Sequence, residues 1–407
     1  MPKIDVADST TATPGALDGL TVLDLTRVLS GPYCTMMLAD MGARVIKIEQ
    51  PGRGDDTRAW GPPFQSGESA YFMSINRNKE SVTLNLKHPD GRRVLDALIE
   101  QSDVLVENFR PGTLDRMGLG YSDVAQRWPK LVYCSVSGFG HTGPRRSEPG
   151  YDAVLQGEGG LMSITGSDDG PAYRLGVAIA DIVSGMFAAY GVAVALLARH
   201  RTGRGQFVDV GMLDAVAALL TYQAGIYFAT DKAPSRMGNR HPTIMPYETL
   251  EAADGDLVVA VGNEQLWRKF CEVIAANDLV DDPRFATNTD RVQAHDVLRP
   301  LLVERLRAGR ATEWIERLTA AGIPCGRVRD LAQVFADPQI VERAMVIALE
   351  HPIAGTIRAL GVPVKLADTP GAIRQPPPML GQHTNPVLRD LGIENEEIAR
   401  LKEEGAI

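Results

Sequence analysis

The stretch "RLGVAIADIVSG" (174–185) sets an acid, Asp181, between a β-leaning run and a long apolar segment. That is the neighbourhood of a helix N-terminus, and it leaves two roles open. As an N-cap, the carboxylate accepts the first unpaired N–H groups of the helix. As a nucleophile, it is kept ionised by the positive end of the helix dipole and takes up an acyl group. The two uses compete, because a capping carboxylate is tied up. No Ser–His–Asp or Cys–His set and no G-x-S-x-G accompanies it. Of the seven histidines, His141 and His241 lie in glycine-rich loops, open to loop hydrogen bonds and to ligand contact alike.

A second signal is "KLVYCSVSGFGHTG" (130–143), where a β-rich run ends in Gly138-x-Gly140-x-x-Gly143. A dinucleotide site needs a helix to start within those glycines, with its N–H groups facing the pyrophosphate. Here Pro144 and Pro149 follow and discourage one. The glycines read as a turn at a strand end. A third signal is the set Arg53, Arg58, Lys87, Arg110 and Arg116, each after a predicted strand. Together they suit phosphate groups.

The elements that position these residues alternate. Strands are predicted at 20–26, 44–50, 81–87, 103–109 and 130–136, with helices at 31–43 and 89–102. This is an α/β domain with an open, mostly parallel sheet, whose binding loops lie at the carboxyl ends of its strands. The loops read "VLSGP", "EQPGRGDDTR", "ENFRPG" and "SGFGHTG". The run 182–198 is short for a membrane span and reads as a helix buried in a soluble core. A further helix is expected near 213–230. The boundaries expected are a large domain over 1–225, a smaller one over 226–344 with one strand, "DLVVAVG", and a return to the first over 345–407.

At 407 residues the chain is too long for one core. With 44% hydrophobic and 23% charged residues it has the composition of a soluble globular protein. A net charge of −9 argues against nucleic-acid and polybasic membrane contacts. The four cysteines show no metal spacing and read as reduced thiols of a cytoplasmic protein. "MPKIDVADSTTATPG" lacks an apolar signal core and reads as an unstructured lead-in.

Several stretches together resemble the class III CoA-transferases, the family that includes formyl-CoA transferase, carnitine CoA-transferase and α-methylacyl-CoA racemase. They are "LDLTRVLSGPYCTMMLADMGARVIKIEQPGRGDDTR", "NRNKESVTLNLKHPDGR", "VENFRPGTLDRMGLGY", "GYDAVLQGEGGLMSITG", "GVAIADIVSG" and "RHRTGRGQFVDVGMLDA", with "GIPCGRV", "LGVPVKLADTP" and "PPPMLGQHT" toward the end. The resemblance implies a Rossmann-like large domain, a smaller α+β domain and an intertwined homodimer. It implies Asp181 as the nucleophile, forming a mixed anhydride and then an aspartyl-CoA thioester. Coenzyme A enters as the acyl-CoA substrate, with no permanently bound cofactor and no metal. The family's CoA contacts correspond to Leu29, Ser30, Leu84, Lys87, Asn108, Phe109, Arg110, Arg116 and the stretch Glu148–Tyr151. Gln50 stands where the family usually has Arg. The racemase branch places a His where this chain has Tyr151, which argues against the two-base reaction of that alternative. "GDDTRAWGPPF", "IMPYETL", "VGNEQLW" and "RQPPPMLGQHT" are closest to the branch that moves CoA between succinyl-CoA and glutarate. A dicarboxylate needs a cation, for which Arg58, Arg236, Arg240 and His241 are candidates. Gly262 and Asn263 correspond to the family's small-domain loop over the acid. They are poorer in glycine than in the formyl-CoA enzyme.

Overall fold

The computed structural model describes residues 13–407. Residues 1–12, most of the lead-in expected above, lie outside the described residues. The chain divides into two compact units. The first holds residues up to Leu161, Leu175–Ala224 and Pro338–Ile407; the second holds Met162–Arg174 and Gly225–Asp337. The expected small domain therefore needs correction at both ends: it also takes in 162–174, and 338–344 belong with the first unit.

The first unit is built on six parallel strands. They are β1 (Thr21–Asp24), β2 (Arg44–Glu49), β3 (Lys79–Thr83), β4 (Val104–Glu107), β5 (Val132–Ser137) and β6 (Phe207–Gly211). Their order is β3-β2-β1-β4-β5-β6. The order reverses between β1 and β4, which makes a topological switch point with a crevice at the carboxyl ends. Alternation along each strand feeds two cores. Val22, Val45, Val104 and Val132 face helix α1 (Ser30–Asp40) and the long helix α5 (Ile179–Thr202). Leu23, Ile46, Leu105 and Tyr133 face the other side. There they meet α3 (Pro89–Glu100), α7 (Thr384–Asp390) and α8 (Asn395–Glu403), through Leu95, Ile99, Leu388 and Leu401. A short helix, α2 (Ala70–Ile75), precedes β3, and α4 (Asp152–Glu158) precedes α5.

The long helix differs from its expectation. Its inner face is made of small residues such as Ala180, Ser184, Gly185 and Ala188, which are buried. A Cβ on Gly185 would stand 2.5 Å from the Ser30 carbonyl oxygen, so this glycine lets α5 approach the start of α1. The outer face is not buried: Met186, Phe187, Tyr190, Val194 and Leu197 are exposed. By length and composition α5 is also apolar enough to cross a membrane. The helix expected near 213–230 is two, Met212–Ala218 and Thr221–Thr230, with Thr221 at φ 32°.

The second unit contains a three-stranded antiparallel sheet, not one strand. β7 (Tyr247–Ala252) pairs with β8 (Gly255–Ala260), which pairs with β9 (Cys325–Arg327). "YETLEA" has the period-2 burial of a strand, a signal masked in the sequence by its polar residues. Helix α6 (Glu264–Val273) and its successors close an apolar core around Trp267, Phe270 and Phe285.

Candidate active site

Which acid caps the long helix is answered by a residue that the sequence reading passed over. The N-cap of α5 is Ala178, which has no capping side chain. Asp152, at the start of α4, supplies the cap from outside: its Oδ1 accepts the Ala180 N–H at 2.9 Å. Gln156 holds Asp152 through Nε2–H to Oδ2 at 2.8 Å and accepts the Leu175 N–H at 2.9 Å. Asp181 is thereby released from capping. Its carboxyl accepts no hydrogen bond among the described residues and is half-buried. Burial, then the nearby Asp152 charge, push its pKa up to about 7.

Tyr71 of α2 completes this corner. It packs with Leu29, Val28, Ala178 and Ile182, and its ring meets Trp60 edge-on at 5.2 Å. Burial, then the charges of Asp181, Asp152 and Asp55, raise its pKa to about 12. The phenol is therefore a hydrogen-bond donor at neutral pH.

Beneath the crevice lies a buried ionic floor. Lys47 reaches Asp55 at 2.9 Å and the Thr26 carbonyl at 2.8 Å. Lys79 reaches Asp24 at 3.2 Å and the Pro32 carbonyl at 2.9 Å. Asp24 also accepts from Thr35 at 2.7 Å, tying β1 to α1. Burial lowers the Lys79 pKa to about 8, while Lys79 and Lys47 hold Asp24 down at about 2 against its own burial. Asp55 accepts the Val28 N–H at 3.3 Å, in a loop where Val28 sits at φ 70°. A β-branched residue with positive φ is strained, and the floor holds it there.

At the switch point Asn108 bonds the Arg27 backbone twice, at 2.9 and 2.7 Å, and Arg27 lies over the Phe109 ring. Asn108 and Phe109 thus stand beside the loop that leads into α1, where the side chains of Leu29 and Ser30 are buried. Lys87, Arg110 and Arg116 are exposed and form no ion pair among the described residues. Tyr151 is exposed, next to Asp152. Beyond β4 and β5 is a cavity of about 200 Å³ lined by Glu107, Arg110, Asp115, Tyr121, His141 and Phe207. Glu107, pushed up to about 7 chiefly by burial, accepts the Phe109 N–H at 2.8 Å.

Other expected residues have different work. Leu84 lies in the core, so no ligand reaches its side chain. Arg58 makes two bonds to Glu49 at 2.7 Å and covers the Phe72 ring at 3.7 Å; it is a structural cation, not a free carboxylate receptor. His141 bonds Ser135 at 2.7 Å and its N–H meets Asp209, which makes it a loop residue. No helix starts in the glycine run; Gly140 and Gly143 have φ of 78° and 81°. In the second unit, Arg240 pairs with Asp168 at 3.2 Å and sits 3.3 Å from the His295 ring. It lines a cavity of about 350 Å³ with Glu248, Glu251, Asp256 and Asp296, a setting hostile to a dicarboxylate. His241 Nδ1 accepts the Thr243 N–H at 3.2 Å, and burial lowers its pKa. Asn263 caps α6 through the Leu266 N–H, while Gly262 borders open space. No group of three or more metal-ligating side chains stands together among the described residues.

An unpaired carboxyl at a helix N-terminus, beside a switch-point crevice rimmed with free cations, suits acyl transfer from an anionic carrier. Comparison with known proteins agrees. The sequence model of CoA-transferase family III matches residues 17–384. A mouse succinyl-CoA:glutarate CoA-transferase is 42% identical, the alignment covering 92% of this chain and 86% of that one. An acetyl-CoA:oxalate CoA-transferase of Acetobacter aceti is 43% identical over 89% of this chain and 92% of its own. The crystal structure of a CAIB/BAIF family protein from Brucella suis superposes with a TM-score of 0.83 at 40% identity, covering 93% of this chain and all of that one. With a match that spans most of its length, and relatives this similar, the chain belongs to CoA-transferase family III.

Proposed function

We propose that the protein moves CoA from succinyl-CoA to a free dicarboxylate, with Asp181 as the nucleophile. The observation that carries this is the released carboxyl of Asp181, freed by the Asp152 cap. The ionised carboxylate attacks the thioester carbonyl, giving a mixed anhydride and CoA thiolate. The thiolate then attacks the Asp181 carbonyl, releasing succinate and leaving an aspartyl-CoA thioester. The acceptor carboxylate displaces CoA to form a second anhydride. CoA thiolate finally takes the acceptor's acyl group and regenerates Asp181. Each exchange is close to isoenergetic, so no nucleotide is consumed. The chain's part is to orient the carboxylate, strip it of water and hold the thiolate nearby.

The CoA phosphates fall to Lys87, Arg110 and Arg116, the exposed cations, and the pantetheine arm to the Leu29–Ser30 and Asn108–Phe109 edges. Gln50 stands where the family usually has an arginine, so one cationic phosphate contact is missing here. The dicarboxylate reading is supported by the relatives' names, since Arg58 and Arg240 are both engaged elsewhere. The relative named for oxalate makes a shorter acid the second reading. Two chains associate as a homodimer, for which the exposed apolar stripe of α5 is the support.

The test is mass spectrometry of acyl-CoA products from succinyl-CoA and a panel of acids. Transfer fastest to C4–C6 dicarboxylates is expected; transfer confined to oxalate or formate would replace that reading. Asp181→Asn should lower transfer on the order of 10³-fold or more while sparing CoA binding. Substantial turnover in that variant would remove Asp181 from the mechanism.

A further inference from the structure

Gln156, in α4, has a fully buried side chain. An amide is tolerated there only when its donors and its acceptor find partners. Nε2 donates to Asp152 Oδ2 at 2.8 Å and to the Val177 carbonyl at 3.4 Å, while Oε1 accepts the Leu175 N–H at 2.9 Å. The Leu175 N–H can only donate and the Val177 carbonyl can only accept, so the amide has one orientation and Nε2 faces Asp152. The Ala180 N–H takes the other oxygen, Oδ1, at 2.9 Å. Both oxygens of Asp152 thus face N–H donors, a setting that suits a carboxylate and offers a proton no acceptor. Asp181, in the first turn of α5 next to Ala180, accepts no hydrogen bond among the described residues. Burial and the Asp152 charge act on it, and Tyr71 of α2, neutral at physiological pH, feels the charges of both acids. The Asp55 charge reaches Tyr71 from the loop after β2.

We infer that Gln156 is a positioning residue that assigns the negative charge of this acid pair to Asp152 and leaves Asp181 as the member that gains and loses the proton. Two carboxyls that feel each other's charge titrate together, and the one with more N–H donors keeps the charge. The orientation of a neutral amide therefore decides the order. Its effect on the transfer has two sides. Reactivity within one kind of nucleophile rises with basicity, so the Asp152 anion makes an ionised Asp181 a stronger attacker. The same anion keeps Asp181 protonated at lower pH, where it cannot attack. Gln156 also bonds Leu175 and Val177, so the amide that orients Asp152 fixes the backbone just before α5. Glutamate has the same shape but lacks the donor. At this position its second oxygen would meet Asp152 Oδ2, and the two acids would have to share a proton.

The inference rests on Asp181 as nucleophile, and its test separates the two. Gln156→Glu, Gln156→Leu and the double variant Asp152→Asn/Gln156→Leu are made in the full chain. Gln156→Glu keeps the shape of the side chain and the acceptor for Leu175, and serves where the leucine variant fails to fold. Succinyl-CoA and the best acceptor are the substrates. Gln156→Glu adds an acid to the pair and should move the acidic limb of the rate–pH profile to higher pH. Gln156→Leu takes a donor from Asp152, lets the proton pass to it, and should move the limb to lower pH. Both should lower kcat roughly tenfold with KM for succinyl-CoA unchanged. In the Asp152→Asn background Gln156→Leu has no charge to reassign and should leave the limb where Asp152→Asn alone puts it. Carboxyl-carbon NMR of the aspartate-labelled chain follows the Asp181 proton without turnover, its signal identified by its loss in Asp181→Asn. Its midpoint should move in the same two directions. Opposite shifts are the signature, since a merely structural role moves neither midpoint. Unmoved limbs and midpoints in folded Gln156→Glu protein would overturn the inference, as would a lower melting temperature alone. So would a shift from Gln156→Leu that persists undiminished in the Asp152→Asn background. Turnover retained in Asp181→Asn, with the expected NMR shifts, would sink the nucleophile and keep Gln156 in its role.

Discussion

A carboxyl whose pKa is about 7 carries a proton in most molecules at about pH 6, and a protonated Asp181 cannot attack a thioester. Transfer should therefore rise with pH through about 7. Asp152→Asn keeps a good cap but removes the neighbouring charge, so the acidic limb should move to lower pH with little loss of stability. The same group links stability to pH. Below its ordinary 3.8 it is neutral in both folded and unfolded chains. Between 3.8 and about 7 the folded state keeps a proton that the unfolded chain has lost, so stability falls as pH rises through that window. Urea unfolding should find Asp181→Asn more stable than wild type near pH 8 and equal to it near the ordinary value. At this scale the sequence shows the acid and the helix start. It does not show which acid caps, because Asp152 lies 28 positions from the N–H it accepts. Arg58 misleads for the same reason: Glu49, nine positions away, claims it through the fold of an intervening loop.

Elements meet where side chains are smallest or most strongly paired. Gly185→Ala pushes a methyl group toward the Ser30 carbonyl. It should cost about 1–3 kcal/mol of stability and raise KM for the acyl-CoA, because the Leu29 edge moves with α1. Lys79→Met strands Asp24 in the floor and should cost about 3–5 kcal/mol in denaturant unfolding, with Asp24→Asn in the same chain recovering part. The strand order of the sheet is readable from alternating apolar runs and helices. The floor is not. Lys47 and Glu49 fall on the same face as Val45 and read as solvent-facing charges. Only the packing of α1 and the loops over the carboxyl ends buries them. In the second unit, polar letters in "YETLEA" hide a strand whose buried residues are one in two.

Across the whole molecule the outer face of α5 leaves the largest question for assembly. Met186, Phe187, Tyr190, Val194 and Leu197 form an apolar stripe that water would not favour on an isolated chain. Sedimentation should show a dimer, and Tyr190→Glu should shift it toward monomer; a monomeric wild-type protein would remove that proposal. The stripe was legible as apolar, but a buried helix and a half-exposed one have the same letters when the partner is absent from the sequence. The first unit is also finished by distant residues. Val387, Leu388, Ile398, Leu401 and Ala406 complete the core beside β3, and the Asn85 N–H bonds the Ala406 carbonyl at 2.8 Å. A ribosome must therefore release residues through Ala406 before the sheet can complete the cover of its second face. Until then α3 covers part of that face and the part beside β3 stays open, and pairing of such distant segments is slow. Nascent chains of this protein should depend on chaperones more than their stable fold suggests. A chain cut after Gly381 keeps Asp181 and the residues assigned here to CoA, yet it should fail to become protease-resistant.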